Sequence, residues 1–136
     1  MQGIRKLVTV LLAFTAPIAL AAPPSSRTPK AEVFYRSFDS TSIINLDAAA
    51  LSHAYDQHLT LHGSELQALL SALPNKCAAA PLGHVQDLRL LIRWSGKASW
   101  AWEASQFAYR DGRTGATCQF SHAQQAKVLA ALGLQR

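Results

Sequence analysis

The spacing of apolar and polar positions changes period several times along this chain. In "QHLTLHG", Leu59 and Leu61 alternate with His58, Thr60 and His62, which predicts a half-buried strand. Beyond Gly63 the period lengthens. Leu66, Leu69, Leu70 and Leu73 fall at i, i+3, i+4 and i+7 of "SELQALLSALP", the apolar stripe of a helix that packs on a sheet. Ser64 and Gln67 have the spacing of a capping box, and Pro74 stops the helix. The final segment "SHAQQAKVLAALGLQR" repeats the scheme. Ser121 and Gln124 cap it, and Gly133 suits the left-handed position that lets Leu134 reach back to Leu129.

Upstream, "EVFYRSF" from Glu32 is aromatic and β-prone and predicts a strand. "STSIINL" predicts a second strand or an extended edge. "DAAALSHAY" predicts a short helix with Asp47 as N-cap and Leu51, Ala54 and Tyr55 on one face. The second half of the chain reads as a hairpin, "VQDLRLLIRW" then "ASWAWEA". A turn around Asp111-Gly112 and Gly115 follows, leading into a last strand over 116–120. Strands and helices mix without a strict βαβ rhythm. The fold class expected is α+β, a mostly antiparallel sheet with two or three amphipathic helices packed on one face.

All three tryptophans lie in "LRLLIRWSGKASWAW". Leu88, Leu90, Ile92 and Trp94 share one face of the incoming strand; Arg89, Leu91 and Arg93 share the other. A three-residue loop Trp94-Ser95-Gly96 pairs Leu90 with Trp100 and Leu88 with Trp102, apolar against apolar. A two-residue loop moves both tryptophans to the arginine face, since a one-residue slip exchanges faces. Burying two tryptophans brings several kcal/mol, against about 0.5–2 kcal/mol for each cation–π contact. The first register is therefore preferred. It puts Trp100 and Trp102 in the core and leaves Trp94 exposed at the turn. Arg89, Arg93 and Lys97 then form a basic stripe, and with Trp94 they are the candidate binding residues.

Composition narrows the setting. "MQGIRK" is followed by an apolar run of about 14 residues and by Ala19-Leu20-Ala21, the layout of a signal peptide over residues 1–21. The run is too short to span a bilayer, which takes roughly 20 residues. The Pro/Ser-rich "APPSSRTPK" predicts a flexible arm over 22–31, leaving one domain over 32–136. The chain has 13 basic and 8 acidic residues; losing Arg5 and Lys6 lowers the net charge from +5 to +3. No run of Lys and Arg marks a nucleic-acid binder. In an oxidising compartment Cys77 and Cys118 form one disulfide closing a loop of about 40 residues.

Candidate chemistry is sparse. His58 and His62 lie about 13 Å apart on a strand, too far to share an ion, and His53, His84 and His122 show no ligand spacing. Ser52-His53 with Asp56 is a local coincidence. "DGRTG" is a hairpin turn or a small anion nest. Asp87 faces Glu103 in the preferred register, at a sheet end. No cofactor, metal site or catalytic residue is implied. The reading reached is a non-catalytic periplasmic or secreted binding protein, in the manner of an inhibitor, an immunity protein or an accessory subunit of an envelope complex. Its partner is a protein or an anionic envelope polymer. The alternative is a small envelope hydrolase or metal-binding protein that gathers histidines and carboxylates in space.

Overall fold

The structure, a computed structural model, describes residues 28–41 and 43–136. The expected signal peptide and most of the expected arm lie outside these residues. Nine elements follow in order: β1 (Lys30–Tyr35), α1 (Ala48–Leu51), β2 (Gln57–Leu61), α2 (Gly63–Ala72), β3 (Leu90–Ser95), β4 (Trp100–Ala104), β5 (Ala108–Asp111), β6 (Thr117–Gln119) and α3 (His122–Leu132). The strands form one antiparallel sheet in the order β2-β1-β3-β4-β5-β6. β1 begins at Lys30, two residues before the expected Glu32, and sits between β2 and β3. "STSIINL" is not a strand. The residues around Leu46 fold over the sheet instead, and Leu46 is 8% exposed.

One face of the sheet carries α2 and α3. Val33, Tyr35, Leu90, Ile92 and Trp102 point into it and meet Leu66, Leu69, Val128 and Leu129. Of the predicted stripe, Leu66 and Leu69 on α2 and Leu73 at its C-cap are buried and Leu70 is half-buried, but the capping box does not form. The N-cap is His62, without a side-chain bond; a helix that starts at Gly63 has Ser64 already inside its first turn. α3 forms both reciprocal bonds between Ser121 and Gln124. It ends with Gly133 at φ 67°, where the Leu134 N–H donates to the Leu129 carbonyl at 2.9 Å. α1 lies on the opposite face, capped by Asp47 (2.7 Å to the Ala50 N–H), and with Leu46 and Leu88 it covers Phe34 and Leu91. That second layer explains why Leu90, Leu91 and Ile92 are each fully buried: β3 is covered on both sides.

From Leu90 onward the tryptophan hairpin keeps the expected faces in a different register. Leu88, expected beside Leu90 and Ile92, packs with Phe34 and Leu91 on the opposite face, because the chain departs from strand geometry at Asp87 (φ 55°) before β3 begins. Leu90 pairs with Ala104, Ile92 with Trp102 and Trp94 with Trp100. β3 runs on to Ser95, so the loop lies over 96–99. The shift is an even number of residues, so Trp102 still faces the helices. Trp94 is corrected from exposed tip to buried wall, 7% exposed, its ring stacked on Trp100 at 4.0 Å. Stacked aromatic pairs across neighbouring strands stabilise this arrangement. Gly96 adopts φ 155°, and a Cβ there would lie 3.3 Å from the Pro29 backbone. The longer loop thus needs glycine where the chain preceding β1 crosses it.

β6 is joined by one more extended segment. Ala79 bridges to Cys118, the Gln119 N–H donates to the Ala78 carbonyl at 2.6 Å, and the Ala80 N–H donates to the Thr117 carbonyl at 3.3 Å. The expected disulfide Cys77–Cys118 forms at a sequence separation of 41 and ties this segment to the sheet edge.

Candidate functional site

Of the four residues expected to bind, the structure brings no three together on an open face. Arg89 is 3% exposed. Its guanidinium donates to the Asp87 carboxylate at 2.7 Å and to Ser40 Oγ at 2.9 Å. Asp87 also accepts from the Leu46 N–H at 3.3 Å. Arg89 has the face expected of it, but that end of the face is closed by the chain around Ser40 and Leu46. A buried, paired arginine clamps a loop and offers no charge to a partner. Arg93 is exposed, with its guanidinium carbon 5.4 Å from the Phe34 ring centre. Lys97 is exposed in the β3–β4 loop. The basic stripe is therefore reduced to two cations.

The hairpin end is a layered structural device. The Arg113 guanidinium carbon lies 4.5 Å from the Trp100 ring centre, and Trp100 stacks on Trp94. Asp111 fixes Arg113 through contacts of 2.8–3.2 Å and also accepts from the Arg113 N–H at 2.9 Å. The "DGRTG" loop is thus occupied by its own aspartate and holds no free anion nest. Burial raises the Asp111 pKa, but the bonds to Arg113 outweigh it and hold the carboxyl below the ordinary aspartate range. A depressed folded pKa stabilises the fold above the unfolded value, and that contribution disappears as pH falls through the folded value. Asp111→Asn is expected to cost about 1 kcal/mol at pH 7, discounted because Arg113 is half exposed. Urea unfolding should show the difference closing below about pH 4. An equal difference at both pH values would mean the ion pair is not its source.

The expected catalytic alternatives do not assemble. Among the described residues no group of three or more His, Cys, Asp or Glu side chains is placed to hold a metal ion. His58 stacks on Phe34 at 4.5 Å, and His84 bonds Gln86. Ser52 Oγ donates to the Ala49 carbonyl, and Asp56 accepts from the Ser37 N–H. Asp87 does not face Glu103. It turns out of the strand with φ 55°, and Glu103 pairs with Leu91 and Arg110.

At the opposite end of the sheet from the tryptophan stack lies the surface that the sequence reading missed. Ser105 builds the β4–β5 turn: its N–H donates to the Ala108 carbonyl, and its Oγ accepts from the Phe107 and Ala108 N–H groups. Phe107 is left at the tip, 73% exposed. Beside it stands Leu82, 57% exposed, on the loop that the disulfide anchors. Gly83 on that loop accepts from Thr117 Oγ1 at 3.2 Å. Two clefts flank the Phe107 ridge, and both include Pro81. One, of about 380 Å³, is lined by Leu82, His84, Asp87 and Ala108. The other, of about 510 Å³, is lined by Lys76, Gln106, Ser121 and His122. Clefts with apolar walls and a few polar groups are the usual form of a binding site. Periodicity gave no signal for it: Phe107 stands two residues before the buried Tyr109, so strand alternation would have sent its ring inward. Matched against protein families, curated proteins and solved structures, the chain has no counterpart in any of the three.

Proposed function

We propose that this is a non-catalytic exported binding protein whose loop end, centred on Phe107 and Leu82, receives a protein partner. The observation that carries the reading is the exposed Phe107 between two clefts, on loops held rigid by hydrogen bonds and a disulfide. Two large apolar side chains set on a fixed scaffold suit a partner with an apolar anchor better than a polyanion, because the charged residues there are few. Asp87 is already paired with Arg89, leaving Lys76 among the fixed charges of the clefts. A pre-formed surface loses little entropy on binding. This suits an inhibitor, an immunity protein or an accessory subunit of an envelope complex. Export is supported by the disulfide, and no helix among the described residues is long and apolar enough to cross a membrane.

The test is quantitative affinity capture from envelope and culture-fluid extracts, followed by titration of the captured protein. Phe107→Asp is expected to weaken binding about 30-fold or more, the behaviour of a central hot spot. The thermal midpoint should stay near that of the parent, because the side chain is exposed. Equal affinity of the variant would overturn the assignment of this surface.

A further inference from the structure

We infer that the domain pairs with a second copy of itself along β2, through an antiparallel two-fold contact centred on Leu59. The two sheet edges are treated differently. The β6 edge is covered by Ala78–Ala80, whereas β2 bonds only β1 among the described residues.

The direction of the free groups on β2 follows from the ladder. The Arg36 N–H donates to the Arg89 carbonyl at 2.8 Å, in line with the register that joins β1 to β3. Bonding alternates along an antiparallel strand, so Phe34 and Glu32 also bond toward β3, and Val33 and Ala31 bond toward β2. Their partners Leu59 and Leu61 therefore bond inward. His58 and Thr60 direct their N–H and C=O groups to the open side.

Natural edges are usually blunted by proline, lysine, inward charges or bulges. Residues 57–61 contain no proline and no charged residue of the Asp, Glu, Lys or Arg type, and their register with β1 is unbroken. The His58 ring lies nearly parallel to Phe34 on the neighbouring strand, 8° between planes, so it leans over β1 and leaves the edge clear.

An antiparallel copy placed about Leu59 sets His58 opposite Thr60 on both sides of the axis. Each such pair exchanges two N–H···O=C bonds, so every outward group of both strands is satisfied. Leu59 then meets Leu59 of the second copy at the close, non-bonded position, with Cα atoms about 4.5 Å apart. Leu59 is only half-buried in the single chain and borders the core under the helices. The contact is isologous, as closed two-fold dimers require. It uses no residue of the Phe107 surface, so the two proposals stand or fall separately.

Sedimentation equilibrium of the disulfide-bonded domain, from micromolar to near-millimolar concentration, is expected to show a monomer–dimer equilibrium. Thr60→Lys, at an exposed position, should weaken the dimer about tenfold or more, with the unfolding midpoint unchanged at dilutions where the domain is monomeric. Leu59→Cys should cross-link to itself under mild oxidation far more efficiently than Thr60→Cys, whose side chain points to the other face. A domain that stays monomeric throughout overturns the proposal. So does a dimer indifferent to Thr60→Lys, or equal cross-linking at 59 and 60. Protection of the Thr60 amide only when another protein is present would assign the edge to a foreign strand and likewise overturn self-pairing.

Discussion

Replacing Trp102 by alanine is expected to lower the unfolding free energy by about 3–5 kcal/mol, the range for deleting a large aromatic from a packed core. Trp102 is fully buried. Its ring stacks on Tyr109 at 5.1 Å and meets the edge of Phe120 at 5.4 Å, and it lies opposite Ile92 on β3. These neighbours come from two other strands and the link between β6 and α3, so they cannot close together over the vacated volume. Domain stabilities lie at about 5–15 kcal/mol, so the loss is a large fraction of the total. Urea unfolding followed by circular dichroism measures it. Trp102→Phe supplies the control. The Trp102 Nε1–H is buried without a hydrogen-bond partner among the described residues, so phenylalanine removes an unsatisfied donor while keeping most of the apolar contact. The phenylalanine variant is expected to recover more than half of the stability lost in the alanine variant. Equal losses would place the tryptophan's contribution outside its ring packing.

Breaking the Cys77–Cys118 bond has an expected effect of similar size. The cysteines are 41 residues apart, and the chain-entropy relation gives about 4 kcal/mol for a loop of that length. For a domain of this size, that lowers the thermal midpoint by about 15 °C. The double variant Cys77→Ala, Cys118→Ala in calorimetry is the measurement. A second readout locates the consequence. The tether holds the segment that carries Pro81 and Leu82 against β6, through the bonds of Ala80 with Thr117 and of Gln119 with Ala78. Amide exchange at Ala80 and Gln119 should accelerate more than exchange at Ile92 in the sheet centre. A midpoint unchanged on loss of the bond would mean that the hydrogen bonds alone fix this edge.

Both effects bear on the proposed function, because the Phe107 surface is made by chain segments far apart in sequence. Phe107 comes from the β4–β5 turn, Leu82 from the tethered loop, and Asp87 from the entry to β3. The Arg89 clamp on Asp87 and Ser40 sets one wall of the first cleft. Arg89 was expected to meet a partner directly; its place in the fold is to hold the wall against which a partner would pack.

The sequence by itself determined what depends on local periodicity and chemistry. The alternation of Leu90, Ile92 and Trp102 against Arg93 assigns their faces whatever the loop length, provided the shift is even. The leucine spacing on α2 and the Ser121–Gln124 box on α3 each act within a few residues, so they are legible without knowing any neighbour. Two cysteines allow one intramolecular bridge. Tertiary structure alone decided what depends on distant neighbours. The register of β3 on β4 followed the stacking of Trp94 on Trp100 and the passage of Pro29 over Gly96. Arg89 is buried because the chain around Ser40 and Leu46 closes over its end of the face, and no nearby residue announces that. Phe107 is exposed because Ser105 uses its own side chain to bend the strand, breaking the alternation that would have sent the ring inward. Periodicity reports which way a side chain points from its own strand. Whether anything lies there to meet it is a property of the whole chain.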